Sequence, residues 1–332
     1  MKKWLIPAAA AGAGLAAAVL PAAYAVYRMA FFSPNSTQND DLHLMRGEQM
    51  EALRDTVVPM IREQAARPYE TVSIRSRDGL TLCGRYFHQR DGAPLCICFH
   101  GYRGTPTRDF AGGVALYRDA GFNLLMVEER AHCRSEGHTI TFGIRERYDC
   151  LDWANYAVSR FGPDMRIVLA GISMGAATIL MASALPLPEN VRGIVADAPF
   201  TSPKAIIRKV CGDLRVPPGL ALPFLRLGAR IFGGFDINDG DAAEAVTHSR
   251  VPILLIHGED DRYVPCSMGR TIAAAAPDKV ELHTFPGAGH GLSYLVDQPR
   301  YERIVRDFFA RILPEETEHR SIEGFSGTPA GT

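Results

Sequence analysis

The sequence predicts an α/β fold: a mostly parallel, doubly wound sheet with helices on both faces and an inserted helical cap. Three observations lead there. Six short runs rich in Val, Ile and Leu recur between residues 95 and 285, most of them separated by a stretch with helical spacing. A pair of shorter runs flanking an Asp-Gly turn precedes them. One Pro- and Gly-rich interval then breaks the rhythm late in the chain. Strands that alternate with helices build parallel sheets covered on both sides, and such strands are apolar on both faces.

In chain order, Lys2 and Lys3 precede an uncharged, mainly apolar stretch from Trp4 to Tyr27, 24 residues long, which Arg28 closes. That length suffices to cross a bilayer as a helix, and the aromatic residues at its ends suit membrane interfaces. The competing reading is a cleaved signal peptide, since Ala23-Tyr24-Ala25 has the small-x-small cleavage pattern, and the domain would then be secreted. The length of the stretch favours a retained single-pass anchor, residues 1–32. The basic residues before it keep the N-terminus inside and put the catalytic domain on the extracytoplasmic side. A helix buried in the domain is disfavoured, because the segment has no polar face.

Residues 33–68 read as a Pro/Asn/Ser-rich linker followed by a helix from Leu42 to Arg67. The main domain is expected over 69–313. It starts with a hairpin, Val72 to Arg75 and Leu80 to Phe87 around Asp78-Gly79. Strands follow at Leu95 to His100, Phe122 to Glu128, Arg166 to Gly171, Val191 to Asp197, Ile253 to His257 and Val280 to Phe285. Helices are expected near Phe110 to Ala120, Arg145 to Phe161, Met174 to Leu185, Ser267 to Ala276 and Arg300 to Ile312. The interval 201–250, with Pro203, Pro217, Pro218, Pro223 and Gly233-Gly234, is read as the cap. The polar tail 314–332 is expected to be disordered.

Composition narrows the function. A formal net charge of −1 offers no field to attract nucleic acid, which is excluded as a partner. Seven cysteines, without a C-x-x-C pair or a Cys/His ligand spacing, argue against a disulfide framework and against a metal site. Cys96 and Cys98 alternate within a strand run and read as core. Cys133 and Cys266, near active-face loops, are weaker candidates for a reactive thiol than for packing.

The chemistry-bearing motif is Gly171-Ile172-Ser173-Met174-Gly175, a G-x-S-x-G between a strand and a helix. So tight a turn holds the serine in strained geometry and needs small residues two positions away on each side. A hydroxyl is a weak nucleophile and needs a base. His290 fits, in the loop Gly287-Ala288-Gly289-His290-Gly291 after the last strand. The base in turn needs a carboxylate to fix its tautomer. Asp261 is the choice, in the chain order Ser, Asp, His; Asp260 is the fallback, and Asp197 is a further candidate whose ordinary task would be to cap or tighten its turn. The backbone N–H groups of Met174 and Tyr102 are the expected oxyanion donors. The Tyr102 side chain is expected near the acyl pocket. Arg103 reads as a solvated residue before it reads as a binder of anionic head groups.

These motifs resemble those of the α/β-hydrolase superfamily, and within it the N-terminally anchored bacterial hydrolases of the serine-aminopeptidase-like and lysophospholipase-like branch. The resemblance spans about Tyr69 to Leu313. It is also carried by His100-Gly101-Tyr102-Arg103-Gly104, by Glu129 to Gly137 and by His257 to Pro265. It implies Asp261 as the acid. The chain departs from the family's Asp-x-Arg-x-His-Gly-x-Ser-x-Gly pattern by carrying Cys133 where glycine is common. The expected activity is carboxylic ester hydrolysis, on acyl-lipid or other hydrophobic substrates, through an acyl-enzyme and without cofactor or metal. A peptidase or amidase would use the same residues. A non-catalytic binding protein on the same scaffold is disfavoured by the completeness of the set.

Overall fold

The computed structural model describes residues 19–34, 44 and 47–314. Residues 1–18, 35–43, 45–46 and 315–332 lie outside the described residues, and with them most of the predicted anchor, most of the predicted linker with the start of the helix after it, and nearly all of the predicted tail.

The described residues begin with a helix, α1, over residues 19–30. Helices α2 (Glu48–Ala52) and α3 (Arg54–Ala66) follow. The single helix predicted from Leu42 to Arg67 breaks at Leu53, whose φ of −94° and ψ of 0° lie outside helical geometry. Strands β1 (Glu70–Arg75) and β2 (Thr81–Phe87) pair antiparallel as the expected hairpin. Then come β3 (Leu95–Phe99), α4 (Pro106–Phe110), α5 (Val114–Asp119), β4 (Asn123–Val127) and α6 (Glu146–Phe161). The helix expected over Phe110 to Ala120 is thus two short ones, parted where Gly112 and Gly113 weaken helical propensity. Strand β5 (Ile167–Ile172), α7 (Met174–Ala182) and β6 (Val191–Asp197) complete the centre. The 201–250 insertion supplies α8 (Pro203–Asp213), α9 (Pro218–Gly228), a π-helical turn at Ala229–Gly233 and α10 (Ala242–Ala245). Strand β7 (Ile253–Gly258), α11 (Cys266–Ala275), β8 (Val280–Phe285), α12 (Ser293–Val296) and α13 (Gln298–Ile312) close the domain.

The eight strands form one sheet in the order β1-β2-β4-β3-β5-β6-β7-β8, parallel from β4 to β8, with β2 antiparallel to both neighbours. Alternation divides each central strand between two cores. Leu95, Ile97 and Phe99, with Ile167 and Leu169, face α6 and α7. Cys96, Cys98, Val168 and Ala170 face α5 and α13, where Tyr301, Val305 and Phe308 are buried. All seven cysteines are free thiols. Strand β8 was expected to be buried, yet only Val280 and Phe285 are; it has β7 as its one neighbour and forms the sheet edge.

The N-terminal segment requires a correction. A helix of the domain was disfavoured for it, but its last turns pack on the domain: Ala23, Tyr27 and Phe31 are buried. Phe31 sits edge-on against Phe142 and Phe235, and Tyr27 Oη hydrogen-bonds Thr139 Oγ1 at 2.7 Å. Ala23 passes so close to α9 that a Cβ on Gly228 would lie 2.4 Å from its carbonyl oxygen. Hydropathy cannot tell an apolar face turned to lipid from one turned to a protein core, and here part of it is turned to the core. Among the described residues no helix is long and apolar enough to cross a membrane.

Candidate active site

Ser173 stands between β5 and α7 with φ 55° and ψ −114°, a conformation that costs a non-glycine residue about 1–3 kcal/mol. The flanking glycines make that turn possible. A Cβ on Gly171 would lie 2.6 Å from the Gly175 carbonyl carbon, and one on Gly175 would lie 2.0 Å from the Phe99 carbonyl oxygen. The turn is tied to the next strand by the Ser173 N–H, which donates to the Asp197 carbonyl at 2.8 Å.

The structure brings Ser173, His290 and Asp261 together from three segments. His290 Nε2 is 2.8 Å from Ser173 Oγ, and His290 Nδ1 is 2.6 Å from Asp261 Oδ2. The other oxygen of Asp261 accepts the N–H groups of Tyr263 and Val264, each at 2.8 Å. Burial pushes the Asp261 carboxyl upward, but hydrogen bonds from His257 and His290 and the backbone N–H of Val264 outweigh it and hold the group well below the usual carboxylate range. An ionised Asp261 places the imidazole proton on Nδ1 and leaves Nε2 free to accept from the serine. The fallback Asp260 makes no such contact; its N–H donates to the Ala288 carbonyl and ties the acid loop to the histidine loop. Asp197 is not a turn cap. Its Oδ2 accepts from Tyr301 Oη at 3.2 Å while Oδ1 has no partner among the described residues, and burial raises its carboxyl to about 6.

The loop after β3 is held so that one N–H is left over. Gly101 N–H donates to Asp109 Oδ2 at 2.8 Å, Arg103 N–H to His132 Nε2 at 3.0 Å, and Gly104 N–H to the Gly101 carbonyl. Neither the Tyr102 N–H nor the Met174 N–H donates to a described residue, and Met174 opens a helix whose first N–H groups lack intrahelical partners. Burial drives His132 down to about 3, which keeps it neutral and able to accept from Arg103. Asp109 was not singled out in the sequence, and His132 was quoted there only as part of the Glu129 to Gly137 motif; Asp109 reaches the loop from the helix that follows it, eight residues on, and His132 from 29 residues away.

Tyr102 lies against the ring of Phe142 and donates its hydroxyl to the Ala30 carbonyl at 2.8 Å. Arg103 is exposed, and its guanidinium donates to the carbonyls of Met29 and Phe32 at and just beyond the end of α1, so it is not free for a head group. Cys133, at the position where glycine is common, has φ 49° in the left-handed region and is buried, so the loop keeps glycine-like geometry without glycine. Cys266 is also buried, and burial raises its thiol, which argues for packing over reactivity.

A cavity of about 490 Å³ adjoins Ser173 and His290. Its lining is mostly apolar: Phe200, Ile206, Ile207 and Leu225 from the insertion and its entry, Phe110 and Leu295 from the opposite wall, and Met29 and Ala30 from α1. Among the described residues no group of His, Cys, Asp and Glu is arranged to hold a metal ion.

The alpha/beta hydrolase family model matches residues 95–303, more than half of the chain and all of this machinery. The chain belongs to that family. Among curated relatives, human protein ABHD12B is 30% identical over 72% of this chain and 67% of its own length. The Bacillus subtilis protein YqkD is 24% identical over 58% of this chain, which spans 64% of YqkD. The rat lysophosphatidylserine lipase ABHD12 is 26% identical over 67% of this chain and 57% of its own length. Among solved structures, a Pyrococcus furiosus esterase superposes with a TM-score of 0.61 at 22% identity, covering 76% of this chain and 94% of the esterase. That likeness agrees with the sheet order, parallel strands and helical layers described above.

Proposed function

We propose that this hydrolase cleaves carboxylic esters of hydrophobic acids by a serine mechanism. The observation that carries the reading is the continuous hydrogen-bonded chain Asp261–His290–Ser173, at 2.6 and 2.8 Å, opening on an apolar cavity. In this reading Ser173 Oγ attacks the acyl carbon as His290 Nε2 takes its proton, and Asp261 stabilises the imidazolium. The oxyanion is received by the unassigned N–H groups of Tyr102 and Met174. His290 then returns the proton to the departing alcohol, and water releases the acid by the same route. No metal or organic cofactor enters any step.

The apolar lining favours an acyl chain over a charged acid. The apolar residues before α1 favour attachment to a membrane through the N-terminal segment, and Lys2 and Lys3 ahead of them favour an extracytoplasmic domain. The test is fluorophosphonate labelling of wild type and Ser173→Ala, followed by turnover of esters of graded acyl length. Labelling restricted to wild type, with rates that rise with chain length, is expected; equal labelling of Ser173→Ala removes the serine from its role.

A further inference from the structure

Exposed large apolar side chains gather on one face. On α1 they are Leu20 (42% exposed) and Tyr24; on the insertion they include Leu214 (62%), Leu220 (68%) and Ile231 (51%). Tyr24 touches Phe232 with ring centroids 4.9 Å apart, so the two groups meet. Along α9 and the π turn, Leu220, Phe224, Leu227 and Ile231 recur at the i, i+4, i+7, i+11 spacing that lines one side of a helix, and none of the four is buried. Met29, Val210 and Leu214 are at once exposed and part of the cavity lining, so they form its rim within this face.

We propose that this face docks on an anionic lipid bilayer and that the cavity receives its substrate directly from the membrane. Two observations choose a bilayer over a protein partner. Residues 203–236 hold six basic residues against two acidic ones: Lys209 pairs with Asp213, Arg226 and Arg230 share Asp236, and Lys204, Arg208 and Arg215 add to the excess in a protein whose net charge is −1. An apolar stripe with basic flanks is the composition of an interfacial helix on anionic lipid. Secondly, the chain that leads into the face is itself apolar: Trp4 to Ala22 are nineteen uncharged residues that end one position before Ala23, the first buried contact with α9. A helix of that length reaches about 28 Å, close to the thickness of a bilayer core. A membrane that took up this stretch would end where the exposed face of α1 and α9 begins.

The substrate half of this proposal rests on the ester-hydrolase reading; the docking half does not, and the experiment separates them. The full-length chain is reconstituted in vesicles of phosphatidylcholine and phosphatidylglycerol carrying brominated acyl chains. Leu220→Trp and Ile231→Trp should be quenched beyond the wild-type background of Trp4 and Trp153, whereas Asp164→Trp, at the opposite ends of the strands, should not. In the double variant Leu220→Asp/Ile231→Asp, turnover of a long-chain monoacylglycerol embedded in unbrominated vesicles should fall roughly tenfold, about 1.4 kcal/mol of interfacial contact. Turnover of soluble p-nitrophenyl butyrate should be unchanged, since neither residue lines the cavity. Quenching at 220 and 231 no greater than at 164 overturns the docking, as does an equal loss, or no loss, on both substrates. If the wild type cleaves neither ester, the hydrolase reading falls while the quenching still decides the docking.

Discussion

Replacing Asp261 with asparagine is the most informative change, because the structure separates its effect on folding from its effect on chemistry. The amide oxygen of the new side chain can still accept the N–H groups of Tyr263 and Val264, now 2.8 Å from Oδ1, so the loop keeps its shape. The amide nitrogen then faces His290 Nδ1 across the present 2.6 Å contact. A donor there forces Nδ1 to accept, moves the ring proton to Nε2 and turns Nε2 from acceptor to donor toward Ser173. The base is lost and the imidazolium loses its counter-charge. The expected loss is about 10⁴-fold in kcat, or about 5.4 kcal/mol at roughly 1.36 kcal/mol per decade. Steady-state turnover of a p-nitrophenyl ester measures it, with thermal unfolding as the folding control. The pH dependence has a sign. The folded carboxyl is held below its unfolded value of about 3.9, so its contribution to stability is complete above that pH and is lost only as pH falls through the folded value. The difference in unfolding free energy between wild type and variant should therefore be constant from about pH 6 to 9. Retention of more than about a tenth of kcat, against the loss expected from a wrong tautomer, would refute the assignment, as would a large loss in Asp197→Asn instead.

Other consequences can be measured in the same preparations. Asp197 behaves oppositely: burial raises its carboxyl to about 6, so the folded state loses stability as pH rises from about 4 to 6. Asp197→Asn should accordingly gain about 2–3 kcal/mol at about pH 7.5 and little at about pH 4, read from denaturant midpoints. Ser173→Ala should abolish turnover at unchanged melting temperature, whereas Ser173→Gly should also abolish it but melt higher, because glycine relieves a φ of 55° worth about 1–3 kcal/mol. Gly175→Ala should fail to yield folded protein, since its Cβ would lie 2.0 Å from a backbone oxygen that cannot move without breaking β3. Phe31→Ala, which empties a fully buried site between Phe142 and Phe235, should cost about 3–5 kcal/mol and expose α1 to limited proteolysis.

The sheet was legible because its strands are nearly pure apolar runs, and a strand covered on both faces can hardly be anything else. Their ends were legible too, from the turn residues that bound them. Helix continuity was not: Leu53 and the Gly112-Gly113 pair interrupt spans whose apolar spacing reads straight through. The edge strand was read as buried although β8 carries Glu281, His283 and Thr284 where the adjoining β7 is apolar from Ile253 to Ile256; a strand with one partner tolerates such residues.

The sequence by itself determined the class of fold and the local chemistry of the elbow, because both are enforced at short range. Apolar periodicity dictates which residues must leave water, and the spacing of Gly171 and Gly175 around Ser173 is demanded by backbone contacts within one turn. Only the tertiary structure decided what each apolar or polar group would meet. Tyr102 reaches Ala30 across 72 residues, and Arg103 reaches Phe32 across 71. His132 holds the Arg103 N–H from 29 residues away. The end of an apolar segment that reads as membrane-bound is packed against α9 and Phe142. The hydrophobic effect is non-directional: it tells a side chain to leave water but not which interior to enter, and that choice is made by shape complementarity between segments distant in the chain.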